Sequence, residues 1–105
     1  MRLVVTTGGV DLTFTEPVDG GAYPWLTKVG ALLLAARAGH LSGVGVGESA
    51  NMTVELDNTR RQAATLLGFC PRAPAVVYDD DGDEFFSGLV QRMDFGAALV
   101  LTLEA

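Results

Sequence analysis

Glycine interrupts the chain at short intervals, and no apolar run between glycines is long. Thirteen of the 105 residues are glycine, spread along the sequence as punctuation and not gathered into one linker. Short apolar runs bounded by such breakers favour strands joined by tight turns. "RLVVT" (2–6) and "LTFT" (12–15) flank Gly8-Gly9 and predict a first hairpin with Leu12 and Phe14 on one face. Met52, Val54 and Leu56 alternate with Thr53, Glu55 and Asp57, which predicts a half-buried strand. "AVVY" (75–78), "EFFSGLVQRM" (84–93) and "ALVLTLE" (98–104) complete the strands, the last two joined by a Phe95-Gly96 turn.

The intervening segments read differently. Pro17 and Gly20-Gly21 make "EPVDGGAY" (16–23) a loop. In 24–39, Trp25, Val29, Leu32, Leu33 and Ala36 match helical spacing, while Gly30 and the flanking strands argue for extension. A strand over Lys28 to Arg37 is the expectation, with the helix as its alternative. Gly43, Gly45 and Gly47 predict a bulge, a bend or a mobile connection. One short helix is expected over 59–68, where Thr59 and Gln62 have capping-box spacing and Gly68 is placed as a stop. Arg60 and Arg61 sit unfavourably for the dipole of that helix, and Asp57 offsets part of this. The fold class that follows is mainly β: a single small β-barrel or β-sandwich-like domain spanning 1–105, with one short helix.

A chain of this length buries only roughly 60–70% of its unfolded surface. Yet 49% of its residues are apolar and the mean hydropathy is positive, at +0.30. Part of the apolar surface is therefore expected to be covered by a partner. Seven basic residues against 13 acidic ones give a net charge of −6, which argues against a nucleic-acid partner. Cys70 is the only cysteine, so no internal disulfide forms, and a reduced compartment and a buried thiol are expected. "MRLVVTTGGVDL" lacks the long apolar stretch of a signal peptide. The longest apolar stretch, Val29 to Ala36 between Lys28 and Arg37, is far short of the ~20 residues of a spanning helix. A soluble protein without a membrane partner is expected.

The densest cluster of chemical groups is "VVYDDDGDEFFSGLV" (76–90), with five acids around Gly82. Set against a calcium-binding EF-hand loop with Gly82 at the sixth position, Val77 falls at the first and Gly88 at the twelfth, so the first and last ligands are missing. Asp81-Gly82 between alternating strands reads instead as a two-residue hairpin turn; a weak cation contact and an acidic docking knob are the other readings. His40 is the only histidine, and neither Cys70 nor Ser42, Ser49 or Ser87 lies in a nucleophile-elbow context. A His40–Cys70 thiolate pair has no support in the sequence. "GVGVGES" (43–49) lacks the third-glycine spacing of a dinucleotide fingerprint, and no Lys-Ser/Thr follows it. No catalytic, cofactor-binding or metal-binding residues are assigned, and the chain does not read as an enzyme.

The order of elements carries more information: "SANMTVELDN", a short variable segment, "PAVVYDDDGDEFFSGLVQRMDF", then "ALVLTLEA". Leu56-Asp57-Asn58 and Phe86-Ser87-Gly88-Leu89-Val90 resemble motifs of the small β-barrel module in tail hub, tail-tip and baseplate proteins of tailed bacteriophages. The resemblance covers 49–105. It implies a virion structural protein of the distal tail, hub or baseplate, made in the host cytoplasm and assembled into a ring through strand edges and apolar surfaces. Homo-oligomers of threefold or sixfold symmetry and other tail proteins are the partners it implies. Read as a lone module, the chain is expected to depart from a full hub protein. The alternative is a stand-alone binding module for a peptide or small ligand. The candidate interface residues are Trp25 and Tyr23 in the 16–27 region, and Glu55. Trp25 is the only tryptophan, a residue type enriched at interface hot spots; its other reading is a core residue capping one barrel end.

Overall fold

A computed structural model describes residues 1–30, 33–34 and 50–105. The strands are β1 (Arg2–Thr7), β2 (Val10–Thr15), β3 (Leu26–Val29), β4 (Leu33–Leu34), β5 (Ala50–Asp57), β6 (Pro74–Tyr78), β7 (Glu84–Asp94) and β8 (Ala98–Glu104), with one α-helix, α1 (Gln62–Leu67). The protein is mainly β. All strand pairs are antiparallel, and the sheet order is β2-β1-β6-β7-β8-β5-β3, with β4 also on β5.

The first hairpin forms as the sequence predicts. Gly8 and Gly9 have φ of +61° and +80°, the double positive-φ geometry whose twist matches that of the flanking strands. Phe14 is fully buried and Leu12 packs beside the core. In β5, Met52, Val54 and Leu56 are buried while Thr53 is exposed. The alternation of β8 is equally regular, burying Leu99, Leu101 and Leu103. Within 24–39, the described residues are extended: β3 and β4 lie along one side of β5, and the Gly30 N–H continues the ladder to the Thr53 carbonyl at 2.7 Å. Extension satisfies these backbone groups against an existing strand, which a helix there would leave unpaired. Residues 31–32 and 35–37 of the expected strand, and Gly43, Gly45 and Gly47, lie outside the described residues.

The sheet is not closed. Its edge strands, β2 and β3, do not pair with each other. Instead the segment between them laces the two sides at one end: the Tyr23 carbonyl accepts from Thr15 N–H at 3.0 Å and the Trp25 carbonyl from Asp57 N–H at 2.8 Å. One continuous core takes side chains from β1 and β2, β3, and β5 through β8, and α1 adds Ala63 and Leu67. An antiparallel sheet needs cover for its apolar face. Here the rolled sheet supplies most of that cover itself, since Phe14 on one edge strand meets Trp25, next to the other, at a ring separation of 6.0 Å.

The helix is shorter than the sequence suggests. The expected capping box does not form: the Thr59 hydroxyl donates to Asp57 at 2.9 Å, and the Gln62 side-chain oxygen accepts from Arg60 N–H at 2.9 Å. Asn58, not Thr59, takes up a free helical N–H, that of Ala64, at 2.9 Å. Gly68 does end the helix, with φ +64° and its N–H on the Ala64 carbonyl. Pro71 and Arg72 then form a turn closed by Ala73 N–H on the Cys70 carbonyl, and it is stitched to β7 by bonds in both directions between Val90 and Arg72–Ala73.

Candidate functional site

The acidic cluster is the turn of the β6–β7 hairpin, but a longer one than Asp81-Gly82 alone. Asp79 N–H donates to the Asp83 carbonyl at 2.9 Å and Gly82 N–H to the Asp79 carbonyl at 3.1 Å, leaving Asp80, Asp81 and Gly82 as the loop. Gly82 has φ +88°, so this is a three-residue loop ending in a left-handed glycine. The Asp79 carboxylate accepts the N–H groups of Asp81 and Asp83, both at 2.9 Å, and so organises its own turn. Carboxylate oxygens of Asp79, Asp81 and Asp83 lie within 4.8 Å of one another. Asp81 and Asp83 are exposed, and neither makes a side-chain hydrogen bond or ion pair among the described residues.

The opposite end of β7 has a contrasting character. Asn58 is 4% exposed and is the one buried polar side chain among the described residues. Its amide donates to the Gly96 carbonyl at 2.9 Å, its oxygen accepts from Ala64, and its backbone N–H reaches the Ala97 carbonyl at 3.0 Å. This one residue ties the end of β5 and the start of α1 to the β7–β8 turn. Beside it lies a half-open pocket of about 370 Å³ lined by Asn58, Thr59, Arg61, Ala64, Phe95, Gly96 and Ala97. Phe95 is 52% exposed there. Arg61 has a left-handed backbone, φ +59°, which is uncommon for a residue with a Cβ. Neither Arg60 nor Arg61 has a carboxylate partner within 4.0 Å among the described residues. Asp57, next to Asn58 in the chain, is held below the usual carboxylate range by hydrogen bonds from Thr59, with a smaller contribution from the Arg60 charge.

Of the candidate interface residues, Tyr23 and Trp25 come together and Glu55 does not join them. The Tyr23 and Trp25 rings lie 5.0 Å apart and both tilt onto Phe14, at 5.8 and 6.0 Å. Both are half-buried against the core. Glu55 projects from the outer face of β5, opposite in direction to Val54 and Leu56, and pairs with Lys28 at 4.0 Å. Cys70 is buried, as expected, and burial pushes its thiol pKa up. Its thiol donates to the Met93 sulfur, 3.9 Å from Sγ. Ser87 is exposed on β7, while His40, Ser42 and Ser49 lie outside the described residues.

The motif residues have local physical roles. Gly88 sits where the end of β8 crosses close over β7: a Cβ there would lie 2.7 Å from the Glu104 carbonyl carbon and 2.9 Å from Ala105 N. Asp57-Asn58 terminates β5, and Asn58 anchors α1 and the β7–β8 turn. No protein-family model, curated protein or solved structure matches the chain.

Proposed function

We propose that this chain is a structural assembly module, a phage virion protein of the distal tail, hub or baseplate that acts by packing against neighbours and not by catalysis. The observation carrying this reading is that the motif residues behind the resemblance, Asn58 and Gly88, act as joints of the framework. Conspicuous surface features are of the kind that contact other proteins. Val18 and Phe69 are 89% and 76% exposed, and Val10, Phe85, Leu89 and Phe95 add further apolar surface. Beyond Thr15, which bonds to Tyr23, the outer edge of β2 has no strand partner among the described residues, and such an edge can pair with another chain. No helix among the described residues is long and apolar enough to cross a membrane.

The test is assembly. Light scattering on the purified protein, alone and co-expressed with the products of neighbouring genes, should give a closed oligomer or a defined complex with a tail protein. A monomer at every concentration that also binds none of those products would overturn the proposal. In parallel, Trp25→Ala should weaken association with little change in melting temperature if Trp25 is a contact. Loss of folding would return Trp25 to a purely core role.

A further inference from the structure

The two ends of β7 are chemically complementary. At one end the β6–β7 turn presents Asp81 and Asp83, exposed and without cationic partners among the described residues. At the other lies the pocket holding Arg61 and Phe95, with Arg60 beside Arg61 in the chain and both arginines exposed and unpaired among the described residues. β7 spans 11 residues between them, or about 35 Å at the rise of an extended strand. No molecule can therefore place its own acidic turn in its own pocket. A second copy can.

We propose that the Asp81–Asp83 tip of one copy docks in the Arg61–Phe95 pocket of the next, making a head-to-tail contact. This rests on the assembly reading above and supplies its contact. Carboxylates match the planar fork of an arginine guanidinium and are bound most strongly where water is partly excluded. The Phe95 ring and Ala64 give the pocket an apolar side that provides that exclusion. The tip is suited to insertion because the Asp79 carboxylate already holds the loop in shape, so little ordering is needed on binding. A contact between two different surfaces repeats from copy to copy, and it closes into a ring when the rotation per copy allows.

Sedimentation velocity over a concentration series distinguishes this contact from general association. The variants are Asp81→Asn/Asp83→Asn, whose side chains make no hydrogen bond among the described residues, and Arg60→Ala/Arg61→Ala. Thermal melts monitor folding of each, and Phe95→Ala serves as a second pocket variant if the arginine pair proves unstable. Each variant should self-associate about tenfold or more weakly than the unaltered protein. An equimolar mixture of the two should form dimers and nothing larger, because one functional tip and one functional pocket remain. The acidic-tip variant is decisive: it reduces the net negative charge from −6 to −4, so general repulsion alone would make it associate more strongly. If it associates as well as the unaltered chain, or better, the contact lies elsewhere, and the assembly reading stands on another surface. If the unaltered chain stays monomeric throughout, the head-to-tail contact is overturned, whereas assembly on a tail partner is decided by the co-expression experiment.

Discussion

Gly88 and Glu104 approach so closely that only a glycine fits: a Cβ at position 88 would collide with the Glu104 carbonyl group. The approach exists because β8 ends at the pairing of Leu89 with Glu104, and the chain end then passes over the neighbouring residue of β7. Gly88 is not among the positive-φ residues, so its requirement is for space and not for backbone freedom. Gly88→Ala is expected to destabilise by about 1–3 kcal/mol, the usual cost of forcing extra atoms into a packed site. Urea unfolding should show a lower midpoint with an unchanged slope. An unaltered midpoint would mean that the C-terminal residues move aside freely.

Asn58 is predicted to matter more than either residue of the apparent capping box. Asn58→Ala removes partners from Ala64 N–H and the Gly96 carbonyl in a part-buried site, and leaving such groups unsatisfied costs about 1–3 kcal/mol each. Thr59 and Gln62 bond only to exposed neighbours, so their alanine variants should stay within about 0.5 kcal/mol of the parent. Thermal melts of the three variants rank them. Thr59→Ala as the most damaging would restore the capping box as the start of the helix.

How far the sequence discloses the fold depends on whether the deciding interaction is local. The Gly8-Gly9 hairpin and the β5 and β8 strands are legible because period-two burial and turn chemistry are written in adjacent residues. The bulges that leave Phe85 and Gln91 out of register have no such signature. Thr59 and Gln62 have the spacing of a cap, yet Asn58 prevails because it also bonds to Gly96, 38 residues away. In 24–39, leucine and alanine satisfy both periods, and for the described residues Leu26–Val29 and Leu33–Leu34 pairing with β5 decides for strand. Tyr23 and Trp25, two residues apart, are legible as candidate contacts of one loop but their ring packing is not, and alternation alone places Glu55 on the outer face. The Arg61–Phe95 pocket was not readable, since it joins segments more than 30 residues apart through Asn58.

The β5 strand offers a direct test of register. Val54 is fully buried between β3 and β8, whereas the Glu55 side chain lies on the outer face near Lys28. Val54→Asp places a carboxylate without a partner in the core and should cost several kcal/mol, enough to unfold a small domain. Glu55→Lys exchanges a weak surface pair for a like-charge pair and should cost about 0.5–1 kcal/mol. Circular dichroism at 25 °C would show the first unfolded and the second native. The reverse ranking in the isolated protein would overturn the register, while lost assembly with intact folding would place Glu55 at a contact.

Cys70 should behave as a core residue and not as a reagent. Its side chain is 7% exposed, and burial raises its pKa, so the thiolate that attacks disulfide reagents is scarce in the folded state. A raised native pKa means that the unfolded thiol loses its proton first as pH increases. The contribution of Cys70 to stability is therefore intact below the ordinary thiol pKa of about 8.5 and declines as pH rises through it toward the higher folded value. Labelling with an aromatic disulfide at pH 8 should be slow in buffer and rapid in denaturant, and the melting temperature should fall above about pH 9 less steeply in Cys70→Ala than in the parent. The Met93 sulfur, which accepts from the thiol, is too weak an acceptor to reverse this order. Rapid stoichiometric labelling of the folded protein at pH 7 would show an accessible thiolate and would reopen a chemical role for this residue.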